Sequence, residues 1–311
     1  MLMGQAGSMF VVFFRTLMAI HGTMPPYVER SWKNFVLFFV APVQFKFDPK
    51  TGDVLPSSSE DFRSVLFKTA KGMALLCVLL GLLIHHSYEL FPSPEAKTLF
   101  DLFRWSHLLS HLLNNYAMAS LTGMGLASGS LVVGTIIQGL TGTTVIELTN
   151  SPMTQSTSVS DFWSRRWNSL VHLVLKGGVY VPMRKNGFPA SVAAFVTFAA
   201  SGIFHEYVLT ALAMKARVLE DDSFYTPKYG YHLAFFAWNG LAIMMEHAVS
   251  DHPFVRWMKN NLPRPVITTL VICTVLPVGH WFTDEYVRIG FFDEIALGLP
   301  VMVWIPASQN E

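Results

Sequence analysis

The 311 residues are 51% hydrophobic and 14% charged, with a mean hydropathy of +0.39 and a formal net charge of +1. A soluble domain carries about 25% charge, so this composition points to an integral membrane protein. Near-neutral charge implies no nucleic-acid partner, because a phosphate-binding surface needs a strong basic excess. Cys77 and Cys273 sit far apart inside apolar runs and read as small packed hydrophobes, not as a disulfide framework.

In chain order, residues 1–22 form a short apolar run interrupted by Arg15, without the basic start and small-residue cleavage site of a signal peptide. An interfacial or partly buried helix is expected there. Residues 31–47 are too short to span and end in a proline break, which predicts a re-entrant or interfacial segment. A polar loop covers 48–66.

The first convincing span is 69–90. The next, 98–116, carries Arg104, His107, His111, Asn114 and Asn115, which at helical spacing make one polar stripe facing a cavity or a buried network. Residues 117–146 are rich in glycine, which lets backbones approach closely in lipid or lets a helix break. Further spans are expected at 189–212, 230–249, 265–283 and 287–304. The predicted fold is all-α and polytopic. It has about eight membrane-embedded helices around a buried histidine and forms one domain over residues 1–311.

Two stretches carry chemistry. Pro189–Met214 is apolar nearly all round, yet holds His205 and Glu206. An ionisable group in a span costs at least a few kcal/mol, so it usually faces a cavity or partner. The alternative is a histidine that only hydrogen-bonds a neighbouring helix. Upstream, 147–188 is neither apolar nor a simple loop. Ser158 with Asp161 resembles a capping box that starts a helix. Trp163, Trp167, Leu170, Val171 and Val174 fall on one face of that helix, and Asp161, Arg165, Asn168 and His172 on the other. The pattern predicts a helix in the membrane interface, ending near Gly177-Gly178. Arg165, Arg166, Lys176, Arg184 and Lys185 outnumber Glu147 and Asp161, which places the segment on the cytoplasmic side. A plain amphipathic anchor, with its arginines on lipid headgroups, fits the same pattern.

DFWSRRWN at 161–168, with TSVS before it and YVPM after it, is followed by SGIFHEYV at 201–208. This pair resembles the signature of membrane-bound O-acyltransferases, over about 150–215. The first motif and YVPM resemble wax synthases, and the His-Glu-Tyr triplet resembles the diacylglycerol and sterol branch. FVLFFVAPVQFKFDP at 35–49 weakly resembles an upstream stretch of these families. The chain begins close to that stretch, so amino-terminal spans common in the family are expected to be missing. The resemblance implies that His205 is catalytic and that Asn168 assists. It implies an endoplasmic-reticulum enzyme that uses acyl-CoA and a lipid alcohol, among membrane lipids, with no further cofactor or metal. Pairing with a second copy of the chain stays open.

The residue types suit that reaction. A neutral imidazole can accept the proton of an attacking alcohol, and the Asn168 amide can donate to the resulting oxyanion. Arg165, Arg166, Lys176, Arg184 and Lys185 are expected to meet the CoA phosphates, with Trp163 and Trp167 as further substrate contacts. Fatty alcohol is the expected acceptor, with diacylglycerol or sterol as alternatives. Two other classes stay in view. A di-iron desaturase would use His107 and His111, which form an HxxxH pair, but no HxxHH is present. A transporter would explain the polar stripe but leaves the tryptophan–arginine helix without a role. The GxSxG elbow of serine lipases is absent.

Overall fold

The computed structural model describes residues 2–92, 105–219 and 227–301. Arg104, the start of the 98–116 prediction and the end of the 287–304 prediction lie outside them. The chain opens with α1 (Leu2–Ile20), α2 (Trp32–Val40) and a two-residue strand β1 (Gln44–Phe45). Arg15, only 2% exposed, points inward from α1. Its Nη1 donates to the carbonyl oxygens of Ala41 (2.8 Å) and Phe39 (3.4 Å), and its guanidinium lies 4.8 Å from the Phe38 ring. A cation at the carbonyl end of α2 complements that helix's dipole, so the charge within the apolar run is internally satisfied.

The stretch predicted as a re-entrant or interfacial segment, 31–47, forms a nine-residue helix followed by β1. Pro42 lies in the bend between the two elements. Ala41 before it is extended (φ −72°, ψ 128°), the conformation that a residue preceding proline prefers, and α2 ends there. β1 pairs antiparallel with β2 (Val145–Ile146), Gln44 opposite Ile146.

α3 (Ser59–His85) starts within the region predicted as loop, because Ser58 and Asp61 form a reciprocal capping box. α4 (Trp105–Thr141) joins two predicted spans into one 37-residue helix, about 55 Å long at 1.5 Å per residue. Its glycines do not break it. The small residues serve the packing of α3 on α4: a Cβ on Gly72 would lie 3.1 Å from Ser128 Oγ, and Thr69 and Thr135 share a hydroxyl hydrogen bond of 2.8 Å.

The signature region is not one interfacial helix. It consists of α5 (Pro152–Gln155), α6 (Val159–Asp161), a π-helical stretch (Phe162–Trp167), α7 (Ser169–Leu175), a second π-helical stretch (Lys176–Tyr180) and α8 (Val181–Lys185). Asn168, with φ −158° and ψ 100°, interrupts the helix. Leu170, Val174 and Leu175 are buried against Phe10, Phe14 and Met18 of α1. Gly177 and Gly178 do not end the segment. They admit α1, since a Cβ on Gly178 would lie 3.0 Å from the Phe14 carbonyl oxygen.

α9 (Ala190–Leu219), α10 (Tyr231–Val249), α11 (Pro253–Asn261), α12 (Arg264–Val275), α13 (His280–Arg288) and α14 (Phe291–Leu297) complete the described chain. α9 and α10 pack through glycine on both sides. A Cβ on Gly202 would lie 2.9 Å from Leu233 Cα, and one on Gly240 would lie 3.1 Å from a Phe195 ring atom. That approach brings the first turn of α10 beside His205.

Among the described residues three helical segments are long and apolar enough to cross a membrane: Ser59–His85, His107–Thr141 and Ala190–Met214. A fourth crossing is available if Arg264–Val278 and His280–Arg288, bent by 52°, form one broken span. The structure is an all-α membrane architecture apart from the short β contact; among the described residues three or four segments are of crossing length, where about eight membrane-embedded helices were expected. The difference comes from the joined α4, from the short α2 and α14, and from α10, whose polar first turn and Glu246 lower its apolar length.

Candidate active site

His205 lies on α9 within an aromatic enclosure. Phe236 stacks on its ring (4.8 Å between centroids, 14° between planes), and Phe282 meets it edge-on at 5.0 Å. The residue is half-buried, where a buried histidine was expected. Its Nδ1 is buried with no hydrogen-bond partner among the described residues. The imidazole is thus held by packing and not by a side-chain hydrogen bond.

Glu206 points elsewhere, as expected for adjacent residues on a helix. Its Oε1 accepts from the Gly230 amide (2.9 Å) and the Leu233 amide (3.0 Å). Glu206 therefore caps the amino terminus of α10, satisfying orphan N–H groups and complementing the helix dipole. His232 returns the contact: its Nδ1 lies 3.2 Å from the His205 carbonyl oxygen, and its Nε2 lies 3.0 Å from that of Phe282.

Asn168 is both the break in the signature helix and the N-cap of α7. Its Oδ1 accepts from the Val171 amide at 3.0 Å. This fixes the side-chain amide, and Nδ2 has no hydrogen bond among the described residues. No hydrogen bond joins Asn168 to His205. The two elements communicate through Trp163, whose Nε1 donates to Asn239 Oδ1 (3.1 Å) and whose ring lies 6.1 Å from Phe236, the ring stacked on His205. Trp163 is thus a packing bridge between the signature segment and α10. Trp167 stacks near Phe162 and faces Gly123 of α4.

The predicted basic group divides. Arg166 is committed: its Nε donates to Asp161 at 2.6 Å, and its Nη1 to Asn150 O and Gln155 Oε1. Its charge is paired inside the segment, which sets it apart from the other four cations expected to meet CoA phosphates. Asp161 also accepts from the Thr157 amide. Burial raises the Asp161 carboxyl, but the hydrogen bonds from Arg166 and Thr157 outweigh it and hold the group below the usual carboxylate range. The predicted capping box is consequently half made: Ser158 Oγ accepts from the Asp161 amide, while the carboxylate turns to Arg166 and Thr157.

Arg165, Lys176, Arg184 and Lys185 are exposed. Arg184 donates to the Phe188 carbonyl and Lys185 reaches the Gly22 carbonyl at 3.5 Å, so both lie at the α8 end of the segment. His172 adds no charge to this group at neutral pH, because burial, and then Lys176, push it down to about 4.

His232, Phe236 and Phe282 escaped the sequence reading. His232 had a usable signal, since it is an ionisable residue within the apolar run 230–249, the same reasoning that selected His205. The phenylalanines had none, being apolar residues in apolar helices. Among the described residues no three His, Cys, Asp or Glu side chains converge as a metal-ligand set.

Residues 147–238 match the model of the membrane bound O-acyl transferase family. The chain is 31% identical over 151 residues to a probable long-chain-alcohol O-fatty-acyltransferase 9 of Arabidopsis thaliana, covering 45% of this chain and 40% of that protein. It is 28% identical over 157 residues to an acyl-CoA–sterol O-acyltransferase 1 of the same plant, covering 44% and 41%. A shorter match, 42% identical over 55 residues, is to diacylglycerol O-acyltransferase 1 of Dictyostelium discoideum, covering 18% of this chain and 9% of that protein. The matched part of the chain thus spans less than half the length of these relatives. No solved structure matches.

Proposed function

We propose that this chain is a membrane-bound O-acyltransferase, a reading supported by the family match over residues 147–238, and that it transfers a fatty acyl group from acyl-CoA to the hydroxyl of a lipid alcohol. The observation that carries the reading is His205, an imidazole without a side-chain hydrogen bond among the described residues and set inside an aromatic enclosure. In this reading Nε2 accepts the proton as the alcohol oxygen attacks the thioester carbonyl carbon. The tetrahedral intermediate collapses, the C–S bond breaks, and the imidazolium returns its proton to the CoA sulfur. Asn168 Nδ2, held by the N-cap contact, is the proposed donor to the oxyanion. Substrate binding must bring Asn168 and His205 to the same thioester, since no direct contact joins them beforehand.

The exposed Arg165, Lys176, Arg184 and Lys185 are the proposed contacts for the CoA phosphates at a cytoplasmic mouth. The reading takes the chain as a single catalytic domain in the endoplasmic-reticulum membrane. Acyl-CoA is the sole activated donor and no metal is required.

The acceptor we favour is a long-chain fatty alcohol, giving a wax ester. The names of most of the similar relatives support this choice. Competition between hexadecanol, diacylglycerol and a sterol, supplied with labelled acyl-CoA to the membrane-embedded protein, tests it. Hexadecyl ester should dominate the product. Dominant triacylglycerol or steryl ester would move the acceptor assignment, and the absence of every ester would overturn the acyltransferase reading.

A further inference from the structure

We infer that His232 is a positioning residue for His205, acting through the backbone and one wall of the aromatic enclosure. The inference rests on the proposed role of His205 as the proton acceptor. Three observations carry it.

The first is that the His205 ring has no hydrogen bond to orient it. Nδ1 is buried and unpartnered. A catalytic imidazole commonly uses that nitrogen to bond an orienting group. Here orientation must come from where the backbone places Cα and from the rings that confine the imidazole.

The second is that His232 touches both determinants. It is wholly buried, with Nδ1 3.2 Å from the carbonyl oxygen of His205 itself and Nε2 3.0 Å from that of Phe282. The Phe282 ring closes the enclosure edge-on to His205. A neutral imidazole has one N–H and donates to one carbonyl, whereas an imidazolium donates to both. Either form ties α10 to at least one of these two backbone points.

The third is reciprocity. Glu206 reaches from α9 to the Gly230 and Leu233 amides, while His232, between them in sequence, reaches back to α9 at His205. The close approach at Gly202 leaves no slack for the two helices to slide. The two side chains therefore lock residues 205–206 to residues 230–233 in one register. Tyr286, stacked 5.2 Å from His232 at 16°, backs the ring from α13.

The substitution series His232→Leu, His232→Gln and His232→Asn, in purified protein with labelled acyl-CoA and hexadecanol, separates positioning from bulk packing. Asparagine places an amide nitrogen near the Nδ1 position and retains a donor for the His205 carbonyl. Glutamine places one near Nε2 and retains a donor for Phe282. His232→Leu should lose about 10–100-fold in kcat with KM for acyl-CoA nearly unchanged, the scale expected for a misplaced catalytic group. His232→Asn should recover most of that loss and His232→Gln less. Equal kcat in all three folded variants would overturn the assignment, and His232→Gln surpassing His232→Asn would overturn its route through the His205 carbonyl. If His232→Leu does not fold, the comparison of His232→Asn with His232→Gln still decides. His205→Ala assayed in parallel separates the two readings. An active His205→Ala removes the proton-acceptor role and this inference with it, whereas an inactive His205→Ala beside a fully active His232→Leu removes only the inference.

Discussion

Two histidine pairs meet α13, and they use their nitrogens differently. His205 and His232 pack on Phe282, and His232 also stacks on Tyr286. At the start of the same helix His280 meets His111 of α4 at 4.7 Å between ring centroids. His111 Nε2 lies 3.0 Å from the Pro277 carbonyl oxygen, and Asn115 Nδ2 donates to the Leu276 carbonyl oxygen at 2.7 Å while also lying 3.0 Å from His111 Nε2. These carbonyls belong to the break where α12 bends into α13, and a broken helix in a membrane must have its freed backbone groups satisfied from neighbouring helices. His111 and Asn115 of the α4 stripe are thus taken up by the bend, while His205 makes no side-chain hydrogen bond among the described residues. A polar residue in a span signals an obligation to a partner, and only the partner shows whether the obligation is structural or chemical.

The comparison can be broken most sharply at His205. Its replacement by alanine should reduce acyl transfer by about 10²–10⁴-fold, the contribution of general-base help, while the protein remains folded by thermal melting in detergent. Retention of more than about a tenth of the activity would place His205 in the same structural class as His111.

Asn168 tests whether a residue can belong to both classes. Asn168→Asp keeps an N-cap acceptor for the Val171 amide but removes the amide donor. Turnover should fall by about 10²–10³-fold with little change in melting temperature. Asn168→Ala should add a stability loss of about 0.5–2 kcal/mol. Full turnover in Asn168→Asp would reduce Asn168 to a cap.

The smallest catalytic effect is expected at Asn115. Asn115→Leu strands the Leu276 carbonyl beside the bend and should cost about 1–3 kcal/mol of stability. The turnover of the folded fraction should stay near that of the parent protein. A large fall in turnover with unchanged melting would show that the second pair takes part in the reaction.

Much of the architecture was legible along the chain, and the reasons are local. α3 and α9 are long apolar runs, readable from composition because a membrane span needs about 20 apolar residues. His205 stood out because an ionisable residue in such a run is costly. Asn168 and Arg166 were marked by the FWSRRWN stretch, but their surroundings were not. That Arg166 turns inward to Asp161 while Arg165 stays exposed depends on the π-helical turn from Phe162 to Trp167, which changes the angular spacing of neighbours. A regular 3.6-residue helix drawn on the sequence assigns those faces wrongly.

By itself, the sequence determined a helical membrane protein and singled out His205 as an ionisable residue in an apolar run, because hydropathy and the cost of buried charge act on each segment separately. The tertiary structure decided which helices are continuous, which polar groups are consumed by backbone carbonyls, and which rings enclose His205. Those outcomes depend on contacts between residues far apart in the chain. Phe236, Phe282 and His232 reach His205 only because Gly202 and Gly240 let α9 and α10 close on one another and α12 bends into α13. No periodicity within a single segment records such an approach, since its physical cause is the complementary shape of two surfaces.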